Sequence, residues 1–176
     1  MKLSEVRRLL SENDISYTLT IESSRREFYG KKGFRTTEDT GTFYLLTIRN
    51  PHHSKNIEII FADSSDNPEF YDLGFGGYWY EMFGWMEEEL PQGIMDEIQN
   101  ILNDKSWVIF ATDAQNGTWF FDGIFCDTEA EEWNDMESFH KTINRIKNPK
   151  NLWRKIIGRM DCYEIFNWTK YEKIIK

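Results

Sequence analysis

No stretch of this chain approaches the roughly 20 consecutive apolar residues that span a bilayer, because charges or Gly interrupt each of the more apolar segments. Met1 to Leu10 carries Glu5, Arg7 and Arg8 and lacks the apolar run that forms a signal-peptide core. A soluble, cytoplasmic protein that uses no membrane is therefore expected. Cysteine is scarce: only Cys126 and Cys162 occur, with no C-x-x-C spacing, which excludes a disulfide framework and a zinc knuckle and leaves two buried or half-buried thiols. Histidine is scarce too. His52 and His53 are neighbours in a turn-like segment with no third His or Cys nearby to complete a zinc set, and His140 stands apart. No metal and no cofactor are expected.

The most informative shortage is of positive charge in the middle of the sequence. Residues 63–137 hold 19 acidic side chains and one basic one, Lys105, whereas residues 1–62 sum to +2 and residues 138–176 to +7, within a net charge of −9. Even if the basic C-terminal block paired entirely with the middle, an acidic surplus would remain. An acidic surface repels phosphate backbones and steers basic proteins towards it, so no nucleic-acid partner is expected.

What is abundant is aromatic. Rings make up 16% of the 176 residues, among 40% hydrophobic and 29% charged residues, a composition that folds. The length suits a single domain, residues 1–176. Leu3, Val6, Leu9 and Leu10 recur at helical spacing behind Ser4, a candidate N-cap, and Ile15, Tyr17, Leu19 and Ile21 alternate like a half-buried strand. Ser23 to Gly41 reads as a long loop or a twisted hairpin around Gly30 to Gly33. Thr42–Arg49 and Asn56–Ala62 form a hairpin pattern about Asn50-Pro51-His52-His53-Ser54.

Phe70 to Trp85 packs eight aromatics into sixteen residues, interleaved with Gly74, Gly76, Gly77 and Gly84, as a bent strand or bulged loop would. Gly93–Asp104 places Ile94, Ile98, Ile101 and Leu102 on one helix face, with Asp96 and Glu97 assigned to its first turn. Ser106–Thr112 and Thr118–Phe125 bracket Asp113-Ala114-Gln115-Asn116-Gly117 as a second hairpin. Thr128 and Glu131 have capping-box spacing ahead of the stripe Trp133, Met136, Phe139, Ile143 and Ile146, expected to be the longest helix and broken at Asn148-Pro149. Leu152–Ile157 suggests a further helical turn or two, and Met160–Phe166 with Tyr171–Ile175 a last strand pair. The expected fold class is α+β, a mostly antiparallel sheet built from hairpins with helices packed on one face.

No motif compels an enzyme. Gly74-Phe75-Gly76-Gly77 lacks the spacing of a phosphate-binding loop. Glu87, Glu88 and Glu89 are consecutive, so they diverge and make no ready acid–base pair. Asp113 and Asp122 flank the second hairpin and read as turn residues. No catalytic residues are assigned. The rival readings are an enzyme using His52, His53 and Lys55 or the central carboxylates, and a regulatory or phage-encoded binding protein. The densest aromatic segment coincides with the acidic block, and that mixture suits a protein-binding patch in which rings anchor and charges steer. Its candidate members are Asp72, Tyr78, Trp79, Glu81, Trp85, Glu87, Glu88 and Glu89.

The order of elements resembles small acidic bacterial proteins encoded beside polymorphic toxins, the immunity proteins. The resemblance rests on the hairpin with Asn50-Pro51 and Lys55-Asn56-Ile57-Glu58-Ile59, the aromatic-glycine segment, the acidic helix, and the Trp107–Phe121 hairpin around Gly117-Thr118-Trp119. It implies a non-enzymatic protein that neutralises a cognate toxin, a basic nuclease being a suitable one, by occluding its active site or substrate surface.

Overall fold

The computed structural model describes residues 1–24, 40–62, 68–80, 90–115, 117, 119–127, 135–148 and 160–176. The loop around Gly30 to Gly33, the Thr128 and Glu131 capping box, Trp133 and the Leu152–Ile157 segment lie outside them. The described chain is α+β, with all its strand pairing antiparallel within two sheets. It divides into two compact units, Met1–Gln99 and Asn100–Lys176, so the single sheet expected from the sequence is two. Among the described residues no helix is long and apolar enough to cross a membrane.

The first unit opens with helix α1, Leu3–Glu12, which buries Leu3, Val6 and Leu10. Its N-cap is Lys2, not Ser4, and no side chain caps it. The reason lies one step earlier in the chain: Leu3 N–H bonds the Pro68 carbonyl at 2.9 Å and Phe70 N–H bonds the Met1 carbonyl at 2.9 Å. Strand-like pairing of the first residues thus sets where the helix begins. The helix ends in a Schellman arrangement, with Ile15 N–H bonded to the Leu10 carbonyl at 2.9 Å, Asp14 N–H to Ser11 at 3.2 Å, and Asp14 at φ 56°.

The five strands that follow are β1 (Thr18–Ser24), β2 (Thr40–Ile48), β3 (Ile57–Ala62), β4 (Glu69–Phe75) and β5 (Tyr78–Tyr80), in spatial order β1-β2-β3-β4-β5. The β2–β3 hairpin is the one the sequence indicates, with Leu46 opposite Ile59 and Ile48 opposite Ile57. Strand β3 is buried at Ile57, Ile59 and Phe61 on one face and at Ile60 on the other, which explains its unbroken apolar run. Strand β1 differs from expectation. Thr18 to Ile21 are all exposed, Ile21 at 64%, and β1 is the outermost of the described strands, paired among them with β2 alone.

Helix α2, Leu90–Leu102, buries Ile94, Ile98 and Ile101 as its stripe requires. It begins earlier than Gly93, so Asp96 and Glu97 fall beyond its first turn. In the second unit β6 (Ser106–Asp113), β7 (Trp119–Cys126), β8 (Asp161–Phe166) and β9 (Tyr171–Ile175) lie in the order β7-β6-β8-β9. Helix α3, Met136–Lys147, is shorter by one residue than α2, 12 against 13, and so is not the longest. Its N-cap is Asp135, whose carboxylate turns away from the helix to accept the Cys126 amide at 2.5 Å, while Asp135 N–H bonds the Cys126 carbonyl at 3.2 Å.

The core of this unit joins Ile109, Phe125 and Ile165 from the sheet to Phe139 and Ile146 from α3, with Trp107, Met136, Ile143, Tyr163 and Ile174 packed around them. Phe139 is its hub, its ring centroid 5.0 Å from Trp107 and 5.5 Å from Phe125. Cys126 is half-buried and Cys162 buried, neither in a disulfide; they oppose Ser106 and Thr112, near the two ends of β6. Six residues of strand hold them ~20 Å apart, out of disulfide reach.

Candidate functional site

The aromatic-glycine segment becomes a hairpin. Phe75 opposes Tyr78 and Leu73 opposes Tyr80, and the chain reverses at Gly76 (φ 60°) and Gly77 (φ 104°), a left-handed pair that only glycines occupy cheaply. On the other side β4 carries a bulge: Ile60 opposes Asp72 but Phe61 opposes Phe70, leaving Tyr71 as the extra residue. The ring of Tyr71 stands edge-on to Phe43 at 5.9 Å and remains 39% exposed. Tyr71 thus joins the face that carries Phe43, Leu45 and Ile60, a buried cluster edged by Ala62.

Of the residues assigned from the sequence, Asp72 is half-buried on that same face, its carboxylate accepting the Leu73 amide at 3.1 Å. Tyr78 is half-buried but, being opposite Phe75, belongs to the other face of the sheet. Trp79 pairs through its backbone with Gly74. Glu81, Trp85, Glu87, Glu88 and Glu89 lie outside the described residues. The residue that sequence reasoning passed over is Tyr71. Its signal was the lapse in alternation at Phe70-Tyr71-Asp72, which only a bulge reconciles with Phe70 and Leu73 both serving the core face.

Part of the acidic block is visible at the surface. Glu69, Asp96, Asp127 and Glu137 are exposed. Lys2 pairs with Glu69, and Lys141 pairs with Glu137 at 2.5 Å one helical turn away. The Lys2 hydrogen bond, then its charge, holds the Glu69 carboxyl below its ordinary value, and Lys141 does the same for Glu137. Both pairs are solvent-exposed, where such contacts contribute little to stability.

The histidine segment is a built turn. Asn50 Oδ1 accepts the His52 amide at 2.8 Å and lies 3.4 Å from that of His53, Asn56 Oδ1 accepts the Asn50 amide at 3.1 Å, and His53 Nδ1 accepts the Lys55 amide at 3.2 Å. His53 therefore spends a ring nitrogen on turn geometry, while His52 points to solvent. Among the described residues no three His, Cys, Asp or Glu side chains converge as a metal ion would need.

The structure also brings together two carboxylates that are far apart in sequence. Asp113 on β6 and Asp161 on β8 are directly opposed, 9% and 3% exposed. Asp113 does serve the turn, as expected: its Oδ1 accepts the Gln115 amide and its carbonyl the Gly117 amide, each at 2.8 Å. Asp161 Oδ2 accepts the Tyr163 hydroxyl at 3.1 Å. Asp122, by contrast, is not a turn residue; it stands within β7 opposite Phe110. Compared with known proteins, this chain matches no protein-family model, no curated protein and no solved structure.

Proposed function

We propose that this chain is an intracellular protein-binding module that acts as an immunity protein, neutralising a cognate toxin by covering a basic active-site or substrate surface. One observation carries the reading: residues 63–137 concentrate 19 acidic side chains against one basic, and within that stretch a bulge lifts Tyr71 to the surface beside Asp72. An exposed aromatic on a rigid sheet supplies the desolvated anchor of an interface, and surrounding carboxylates raise the encounter rate with a basic protein. Because the pair sits on a hydrogen-bonded strand, little conformational entropy is lost when it docks.

The test is co-expression with a toxin encoded beside the gene. Growth is expected to be rescued, and the purified complex to weaken as salt rises. Tyr71→Ala, Asp72→Ala, Trp79→Ala, Trp85→Ala and Glu88→Gln are each expected to weaken it, Tyr71→Ala by ~10-fold or more. Affinity indifferent to both salt and all five substitutions would overturn the reading.

A further inference from the structure

Strand β9 is the outermost of the described strands in its sheet. Its hydrogen bonding to β8 can be read from its ends: Asp161 and Lys176 exchange both backbone bonds, at 2.6 and 2.9 Å, and Asn167 N–H bonds the Lys170 carbonyl at 3.0 Å. In an antiparallel ladder alternate residues bond the same neighbour. Glu172 and Ile174 therefore bond β8 along with Lys176, and the N–H and C=O groups of Lys173 and Ile175 are directed outwards. Ile175 is 56% exposed, and Glu172, Lys173 and Lys176 are exposed with it.

We propose that this edge pairs with the same edge of a second copy, antiparallel and centred on Ile174. A two-fold axis perpendicular to the sheet maps each face onto itself, so it permits only registers in which a residue meets its own copy at the axis. Centring on Glu172 sets two glutamates face to face. Centring on Lys173 sets Lys173 against Lys173 and Lys170 against Lys176. Centring on Ile174 places Ile174 against Ile174 and opposes Glu172 to Lys176 of the other copy, twice. It also forms reciprocal backbone bonds between Lys173 and Ile175, again twice.

Centring on Tyr171 needs the Thr169 N–H, which already bonds Asp104, and centring on Ile175 opposes no charged pair. Opposite charges directly across a ladder stabilise it and like charges destabilise it, so charge and free backbone donors together select the register centred on Ile174. The Glu172 carboxylate already receives Lys147 at 3.1 Å, and a second lysine completes a Lys–Glu–Lys arrangement. The Lys176 ammonium leaves its exposed bond to the Lys147 carbonyl to do so. The occupant is thus this chain itself, and the two four-stranded sheets become one of eight.

Sedimentation equilibrium of the whole chain is expected to show a monomer–dimer equilibrium with a dissociation constant of about 1–100 µM, the weak end expected of a small interface. Lys173→Pro removes an outward N–H without touching the bonds to β8 and is expected to raise that constant ~10-fold or more, with the circular dichroism spectrum unchanged. Ile174→Cys places two thiols at the axis in a non-hydrogen-bonded pair, ~4.5 Å apart at Cβ, and is expected to form a disulfide-linked dimer under mild oxidation. Ile175→Cys, opposite Lys173 of the other copy, is not. A monomer at every concentration up to ~1 mM, or equal cross-linking of the two cysteine variants, would overturn the proposal; the cross-linking comparison decides it if Lys173→Pro fails to fold.

Discussion

Asp104 binds Thr169 twice across 65 residues of sequence: its Oδ1 accepts the Thr169 amide at 2.9 Å and its Oδ2 the Thr169 hydroxyl at 2.5 Å. Asp104 follows α2, in the left-handed region at φ 60°, where Lys105 N–H bonds Asn100 at 2.8 Å and Asp104 N–H bonds Ile101 at 3.0 Å. The carboxylate thereby ties a helix terminus to the turn between β8 and β9. Lys170, next in that turn, reaches over Trp107 with its ammonium 5.7 Å from the ring.

Asp14 ends α1 in the same conformation, at φ 56°, but among the described residues no bond to a distant segment holds its side chain in the way Thr169 holds Asp104. Glycine relieves the cost of a left-handed residue at both places. Asp14→Gly is expected to stabilise the protein by about 0.5–1 kcal/mol, and Asp104→Gly to destabilise it by about 1–2 kcal/mol because charged hydrogen bonds are lost. Urea unfolding of the two variants beside the parent checks the opposite signs.

Phe139 connects α3 to Trp107 and Phe125 at the centre of the second unit's core. Phe139→Ala is expected to cost about 3–5 kcal/mol and Phe139→Leu less than half of that, since leucine refills most of the cavity. Thermal unfolding measures both.

The Gly76-Gly77 turn sets how β5 returns along β4. At φ 104° an added Cβ at Gly77 is strained, so Gly77→Ala is expected to cost about 1–3 kcal/mol. The same change at an exposed site of ordinary backbone stabilises by about 0.4–1 kcal/mol, because alanine has less freedom to lose on folding. Chemical denaturation distinguishes the two.

Stability is expected to fall at both ends of the pH range. Folding lowers the carboxyls of Glu69 and Glu137, so their contribution is present above the ordinary value of 4.5 and disappears as pH falls through the lower folded value. Burial first, then the hydrogen bond to Glu164 at 2.6 Å, raises the Tyr171 phenol, whose contribution is present below its ordinary 10.0 and disappears as pH rises beyond it. Denaturation midpoints against pH should show a plateau between. Glu69→Gln should flatten the acid limb only slightly, as an exposed ion pair allows, and Tyr171→Phe the alkaline one.

Most elements were legible because their signals are local. The β2–β3 and β6–β7 hairpins follow from apolar runs flanking turn residues, and the buried stripe of α3 at Phe139 and Ile146 from helical spacing. The helix starts were less so: α1 begins where Met1 and Leu3 bond Phe70 and Pro68, partners that no local pattern announces.

The α+β class, two cysteines outside any disulfide and the acidic middle were readable along the chain, since these depend on composition and on neighbours within a few residues. Long-range packing alone divided the hairpins between two sheets, left Ile21 exposed on β1 and set Asp113 opposite Asp161. It also decided that Tyr71 stands out on a bulge beside Asp72. Strand order and register are set by side chains far apart along the chain competing for the same buried faces, and that competition leaves no periodicity to read.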